Sequence, residues 1–90
     1  MGTALVRIKI MPSSTEEDLK LIGKQAESTI LKGKGTHYSS EEQSIAFGLK
    51  ALVVSFALDE SLELETIERA LERIEGVNSV QVIDMRRAFG

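Results

Sequence analysis

The side chains able to do chemistry in this chain are few and scattered. His37 is the only histidine and there is no cysteine, which excludes disulfides, thiolate metal sites and a cysteine nucleophile and leaves no second imidazole for a zinc site. The histidine lies in the polar stretch KGTHYSSEEQS (34–44) with no acid/base partner in view, and reads as a surface residue. The glutamates that follow residue 60 read as the solvated face of a helix, or as an acidic docking surface for a basic partner. Gly33 and Gly35 lack the strand-glycine-helix context of a phosphate loop and read as a turn. No enzyme constellation emerges, and no cofactor is implied. What stands out is SIAFGLKALVVS (44–55), where Phe47 sits beside Gly48 at the mouth of a run that reads as a buried strand. The chain has only three Phe and one Tyr, so an aromatic placed at a turn calls for a physical reason.

The elements that must position these residues follow from periodicity. The chain has 90 residues, enough for one domain over 1–90 that buries roughly 60 to 70% of the unfolded surface, and too few for two cores. Val6, Ile8 and Ile10 alternate with Arg7 and Lys9 in ALVRIKIM (4–11), the pattern of a half-buried strand. After Pro12, Ser14 and Glu17 are spaced as a capping box, which predicts a helix from about Thr15 to Leu31 with Leu19, Ile22, Ala26 and Ile30 in one stripe. Gly33 then suits a left-handed helix end. The polar stretch 34–44 suits an edge strand. Residues 49–58, LKALVVSFAL, are apolar on both parities and fit a central strand. Asp59 or Ser61 offers the cap of a second helix, whose stripe is Leu64, Ile67, Leu71 and Ile74, and a last strand runs from Val77 to about Arg87.

The order is βαββαβ. Right-handed crossovers place both helices on one face of a four-stranded antiparallel sheet in the order 4-1-3-2, an α+β ferredoxin-like sandwich. The open face is then expected to carry Arg7, Lys9, Val53, Ser55, Gln81 and Ile83. RNA-recognition modules of this architecture need aromatic platforms on that face, and here Arg7, Lys9, Val53 and Ser55 occupy it. The net charge is −3 with a pI near 5.1, which gives no general attraction to nucleic acid or anionic lipid. Charged residues interrupt the N-terminal apolar stretch, so it reads as neither a signal peptide nor a membrane span, and a soluble cytoplasmic protein is expected. Partner binding and small-ligand regulation or assembly remain as the two function classes.

The blocks RIKIMP (7–12), IAFGL (45–49), IEGV (74–77) and the ending VNSVQVIDMRRAFG (77–90) fall in order along the whole chain. Together they resemble the guanine-nucleotide exchange domain of translation elongation factor 1-beta, in its stand-alone archaeal form. The resemblance implies a ferredoxin-like exchange factor, without covalent chemistry, that releases GDP from the GTPase elongation factor 1-alpha; a monomer is expected. It implies that Phe47 matches the family's exposed aromatic, which enters an apolar pocket of the GTPase, with Gly48 turning the chain there and Lys50 helping to dock. Eukaryotic members end in QKL, whose lysine reaches the magnesium and phosphate region; alignment through Met85 puts Arg87 at that lysine and Arg86 before it. An arginine fork is not equivalent to a lysine point charge. Two plainer readings stay open at this point: Phe47 as a cover for the sheet edge, and Arg86 with Arg87 as a solubilising tail.

Overall fold

The alternation of Val6, Ile8 and Ile10 with Arg7 and Lys9 builds the first strand of the computed structural model, which describes residues 2–88. In chain order the elements are β1 (Thr3–Pro12), α1 (Leu19–Lys32), β2 (Thr36–Ser44), a single 3-10 turn (Ala46–Gly48), β3 (Lys50–Asp59), α2 (Leu64–Glu72) and β4 (Val77–Ala88). The strands form one sheet in the order β2-β3-β1-β4, with every neighbouring pair antiparallel. This is the expected ferredoxin-like βαββαβ sandwich. Ile22, Ala26 and Ile30 of α1 and Ile67 and Leu71 of α2 pack on Val6, Ile8, Ile10, Leu52, Val54, Phe56 and Leu58 to form the core. Burial of such side chains, at about 25 cal/mol per Å² of apolar surface, supplies the drive for folding. No described helix is long and apolar enough to cross a membrane.

The first helix starts later than the capping-box spacing predicts. The Ser14 hydroxyl accepts from the Glu16 amide at 3.2 Å within a turn, while the Asp18 carboxylate accepts from the amides of Lys20 and Leu21 at 3.0 and 3.2 Å. A carboxylate at the positive end of a helix is the stronger cap. Asp18→Ala should therefore cost about 1 kcal/mol, lowering the melting temperature by roughly 4 to 8 °C in a thermal melt.

At the other end of α1, Gly33 has φ −82 and is not left-handed; Lys34, with φ 71, takes that conformation instead. Gly33 is small for a packing reason, because a Cβ there would lie 2.7 Å from Ile67 Cγ1 of α2. Gly76, with φ 91, is the left-handed glycine of the turn from α2 into β4; α2 itself ends at Glu72 with Arg73 as its C-cap, so Ile74 of the expected stripe lies beyond the helix. Neither Asp59 nor Ser61 caps α2: its N-cap is Glu63, without a side-chain bond, and Asp59 accepts from the Ser61 amide at 2.8 Å to close the preceding turn.

The polar edge strand forms as expected, and Tyr38 locks it to the helix layer. Its hydroxyl donates to the carbonyl of Gly23 at 3.0 Å. Burial raises the phenol pKa above its ordinary value of 10.0, opposed by a hydrogen bond with Ser40 and assisted by the Glu27 carboxylate. The proton is held more tightly in the folded chain, so this stabilisation is whole below about pH 10 and is lost as pH rises through the raised folded value. Tyr38→Phe should cost about 1 kcal/mol near neutrality and flatten the alkaline limb of a stability-against-pH curve.

Candidate functional site

The hairpin between β2 and β3 closes through its last strand pair, Ser44 with Lys50, and then through the Ile45 amide, which donates to the Leu49 carbonyl at 2.7 Å. Only Ala46, Phe47 and Gly48 lie beyond that bond. Reversing the chain in so few residues requires positive φ angles, and Phe47 (φ 63, ψ 32) and Gly48 (φ 74) supply two in succession. Glycine suits this backbone at position 48, where a Cβ would meet nothing within 4 Å, so conformation and not space selects it. Phe47 has no such freedom. A bulky side chain in the left-handed region costs about 1–2 kcal/mol, and this one is 100% exposed. It covers no part of the sheet, which removes the edge-cover reading.

Lys50 lies two residues beyond the tip, exposed, with its Nζ 3.8 Å from Glu42 Oε1 across the strand pair. Gly48, Lys50 and Glu42 line one wall of a groove of about 310 Å³, and Pro12, Asp18 and Lys20 are on its other side. The groove continues from the tip toward the start of α1.

The two arginines lie at the far end of β4. Their directions are set by a bulge: Arg7 pairs with Asp84 but Ile8 pairs with Val82, so Ile83 has no opposite number on β1. One extra residue reverses the parity of everything after it. Arg86 therefore sits opposite Leu5 on the open sheet face, and Arg87 opposite Ala4 on the helix face. On the open face Arg86 Nε bonds Asp84 Oδ2 at 3.0 Å. On the helix face Arg87 forms a two-pronged pair with Glu60, Nε to Oε1 at 2.7 Å and Nη2 to Oε2 at 3.0 Å.

Strand direction separates the two parts. The Phe47 tip precedes the start of β3, whereas Arg87 is level with its end, since Ala4 pairs with both Leu58 and Arg87. Ten residues of β3 at about 3.3 Å each put the two roughly 30 Å apart, in a molecule whose longest extent is 42 Å. The fold thus brings Phe47, Gly48 and Lys50 together and holds Arg86 and Arg87 at the opposite end, on opposite faces.

The chain itself matches a known family along nearly its full length. The family model for the EF-1 guanine nucleotide exchange domain matches residues 5–88. Elongation factor 1-beta of Methanosarcina barkeri is 40% identical over 88 residues, covering 97% of this chain and 99% of its own length. The chain belongs to the elongation factor 1-beta family. The elongation factor 1-beta of Methanothermobacter thermautotrophicus is 39% identical over 88 residues, with 97% of this chain and 98% of its own covered. That of Metallosphaera sedula is 34% identical over 89 residues, with 97% covered on each side. These relatives are archaeal, as the stand-alone elongation factor 1-beta resemblance implies.

Within this elongation factor 1-beta fold the open face differs from expectation at two positions. Val53 is only 3% exposed, although no layer covers that face. Arg7, opposite Ser55, reaches Glu41, opposite Val53, at 2.9 Å, and this pair spans β3 from β1 to β2. Ile83 is the bulge residue and not a member of the register. Sequence reasoning also missed Glu60, whose pairing with Arg87 joins residues 27 apart. Its only sequence signal is an acid at the exit of a strand. His37 is exposed at φ 57 beside the irregular β2–β3 pairing, with Nδ1 3.1 Å from Thr36 Oγ1.

Proposed function

We propose that this chain promotes the exchange of GDP for GTP on the GTPase elongation factor 1-alpha during translation elongation, as one exchange unit over residues 1–90. It acts as a monomer, with no cofactor of its own, and makes or breaks no covalent bond. The observation that carries the reading is Phe47: fully exposed, on a backbone set in the left-handed region before any partner arrives. An aromatic anchor already in place enters a pocket without a further ordering cost.

Phe47, Gly48 and Lys50 form one contact with the GTPase, and Arg86 and Arg87 the other. Because they are about 30 Å apart along the strands, one cannot share the other's pocket; the factor bridges two separate regions of its partner. Phe47 docks in an apolar pocket away from the nucleotide. Arg87 then reaches the Mg²⁺ and phosphate region, where a fixed cation disfavours the metal that bridges the phosphates. Losing that bridge speeds departure of GDP.

Exchange requires the factor to bind the nucleotide-free GTPase more tightly than the GDP-bound form, and linkage makes the weakening of GDP reciprocal. Calorimetric titration of this chain into both forms of the cognate GTPase tests it. Tighter binding to the empty form is expected, and equal affinities would contradict the reading. A second reading, a small-ligand regulatory or assembly module, draws on a cavity of about 370 Å³ with an apolar wall that includes Ala4, Leu58, Leu64 and Met85 and a charged rim of Asp59, Glu60, Arg86 and Arg87. A raised melting temperature with a small metabolite, together with no binding to the GTPase, would favour it.

A further inference from the structure

Arg87 is the only described arginine held by a two-pronged ion pair. The pairs of Arg7 with Glu41, Arg86 with Asp84 and Arg69 with Glu65 each rest on a single contact, whereas Arg87 places Nε and Nη2 on the two oxygens of Glu60. The fork ties the end of β4 to the turn between β3 and α2. Glu60 is fixed within that turn. Its amide donates to the Gly2 carbonyl at 3.0 Å, and its carboxylate lies so close over Gly2 that a Cβ there would collide with Oε1. The Glu60 side chain is 30% exposed and that of Arg87 is 74% exposed. When the pair opens, the guanidinium is therefore the group free to leave.

A guanidinium engaged on both prongs by a carboxylate presents little net charge to a third group. It neither attracts a phosphate nor repels a bound cation as a free arginine does. We infer that Glu60 acts through Arg87 as a positioning residue: it holds the guanidinium against the β3–α2 turn in the unbound chain and competes with the GTPase for it. This inference rests on the role given to Arg87 in the proposed function. An exposed pair is weak enough to open on docking and strong enough to reduce the fraction of Arg87 that is available.

The test is release of a fluorescent GDP analogue from the cognate GTPase, with the full chain at a concentration well below saturation. Glu60→Gln keeps the shape and removes the competing charge, and should accelerate release roughly two- to five-fold. The gain should shrink as ionic strength rises, because salt already weakens the wild-type pair. Glu65→Gln is the control for general charge, since it makes the same change on α2 at a pair that does not involve Arg87; no gain is expected there. In an Arg87→Ala background Glu60→Gln should also give no gain, the signature of coupled residues.

An unchanged or slower rate for Glu60→Gln, in a protein whose Arg87→Ala variant is slow, would overturn the inference while leaving the role of Arg87 standing. An equal gain with and without Arg87 would overturn it in favour of a general charge effect. If Arg87→Ala exchanges at the wild-type rate, the role of Arg87 fails first and this inference fails with it.

Discussion

Phe47→Ala should weaken complex formation with the GTPase by about 2 kcal/mol or more, roughly thirty-fold in Kd, with no loss of stability. A side chain that is 100% exposed contributes no packing to its own fold, so removing it leaves the core intact. Its value lies wholly in what it would bury on another molecule. Phe47→Gly sharpens the result, because glycine adopts φ 63 without the steric cost that phenylalanine carries there. That variant should melt at or above the wild-type temperature and bind as weakly as the alanine variant, or more weakly. Binding by a folded Phe47→Ala protein at wild-type affinity would show that the anchor lies elsewhere. A stability loss above about 1 kcal/mol would instead place the side chain in the chain's own packing.

Arg87→Ala should act on the other limb of the process. The expected loss is about 1.5–3 kcal/mol, the range for hydrogen bonds to charged groups, or roughly ten- to a hundred-fold in the maximal exchange rate. The concentration of this chain giving half that rate should change far less if, as proposed, docking rests on the Phe47 end about 30 Å away. Arg86→Ala is the internal comparison. The bulge at Ile83 sends Arg86 to the open face and Arg87 to the helix face, so loss of Arg86 should have the smaller effect. Arg87→Lys should retain part of the activity as a point charge without the fork. A comparable loss from both alanine variants would mean that the terminal segment acts through diffuse charge and not through one directed side chain.

The features legible in the sequence were those set by local pattern. Val6, Ile8 and Ile10 against Arg7 and Lys9, and the stripe Ile22, Ala26 and Ile30, identify their faces by period alone. The doubly apolar run of β3 announces a central strand, and the topology follows from chain order and handedness. The start of α1 was not legible, because Ser14 and Asp18 are both competent caps and only the folded chain chooses between them. Gly33 misled for a related reason: its small size answers to Ile67 of the other helix, a contact 34 residues away. The Ile83 bulge exists only as a difference in length between β4 and β1, which no reading of β4 alone contains. That one residue decides which way each terminal arginine faces. At the candidate site, the placement of Phe47 beside Gly48 at a turn was legible, while the left-handed backbone and the Glu60 partner of Arg87 were not.

The most direct measurement of the central claim is the release of a fluorescent GDP analogue from cognate elongation factor 1-alpha, chased with excess GDP, with this chain added in substoichiometric amounts. Faster release is expected, with each molecule of the chain serving many GTPases in turn. Release at the intrinsic rate from a GTPase shown to be competent for exchange would contradict it.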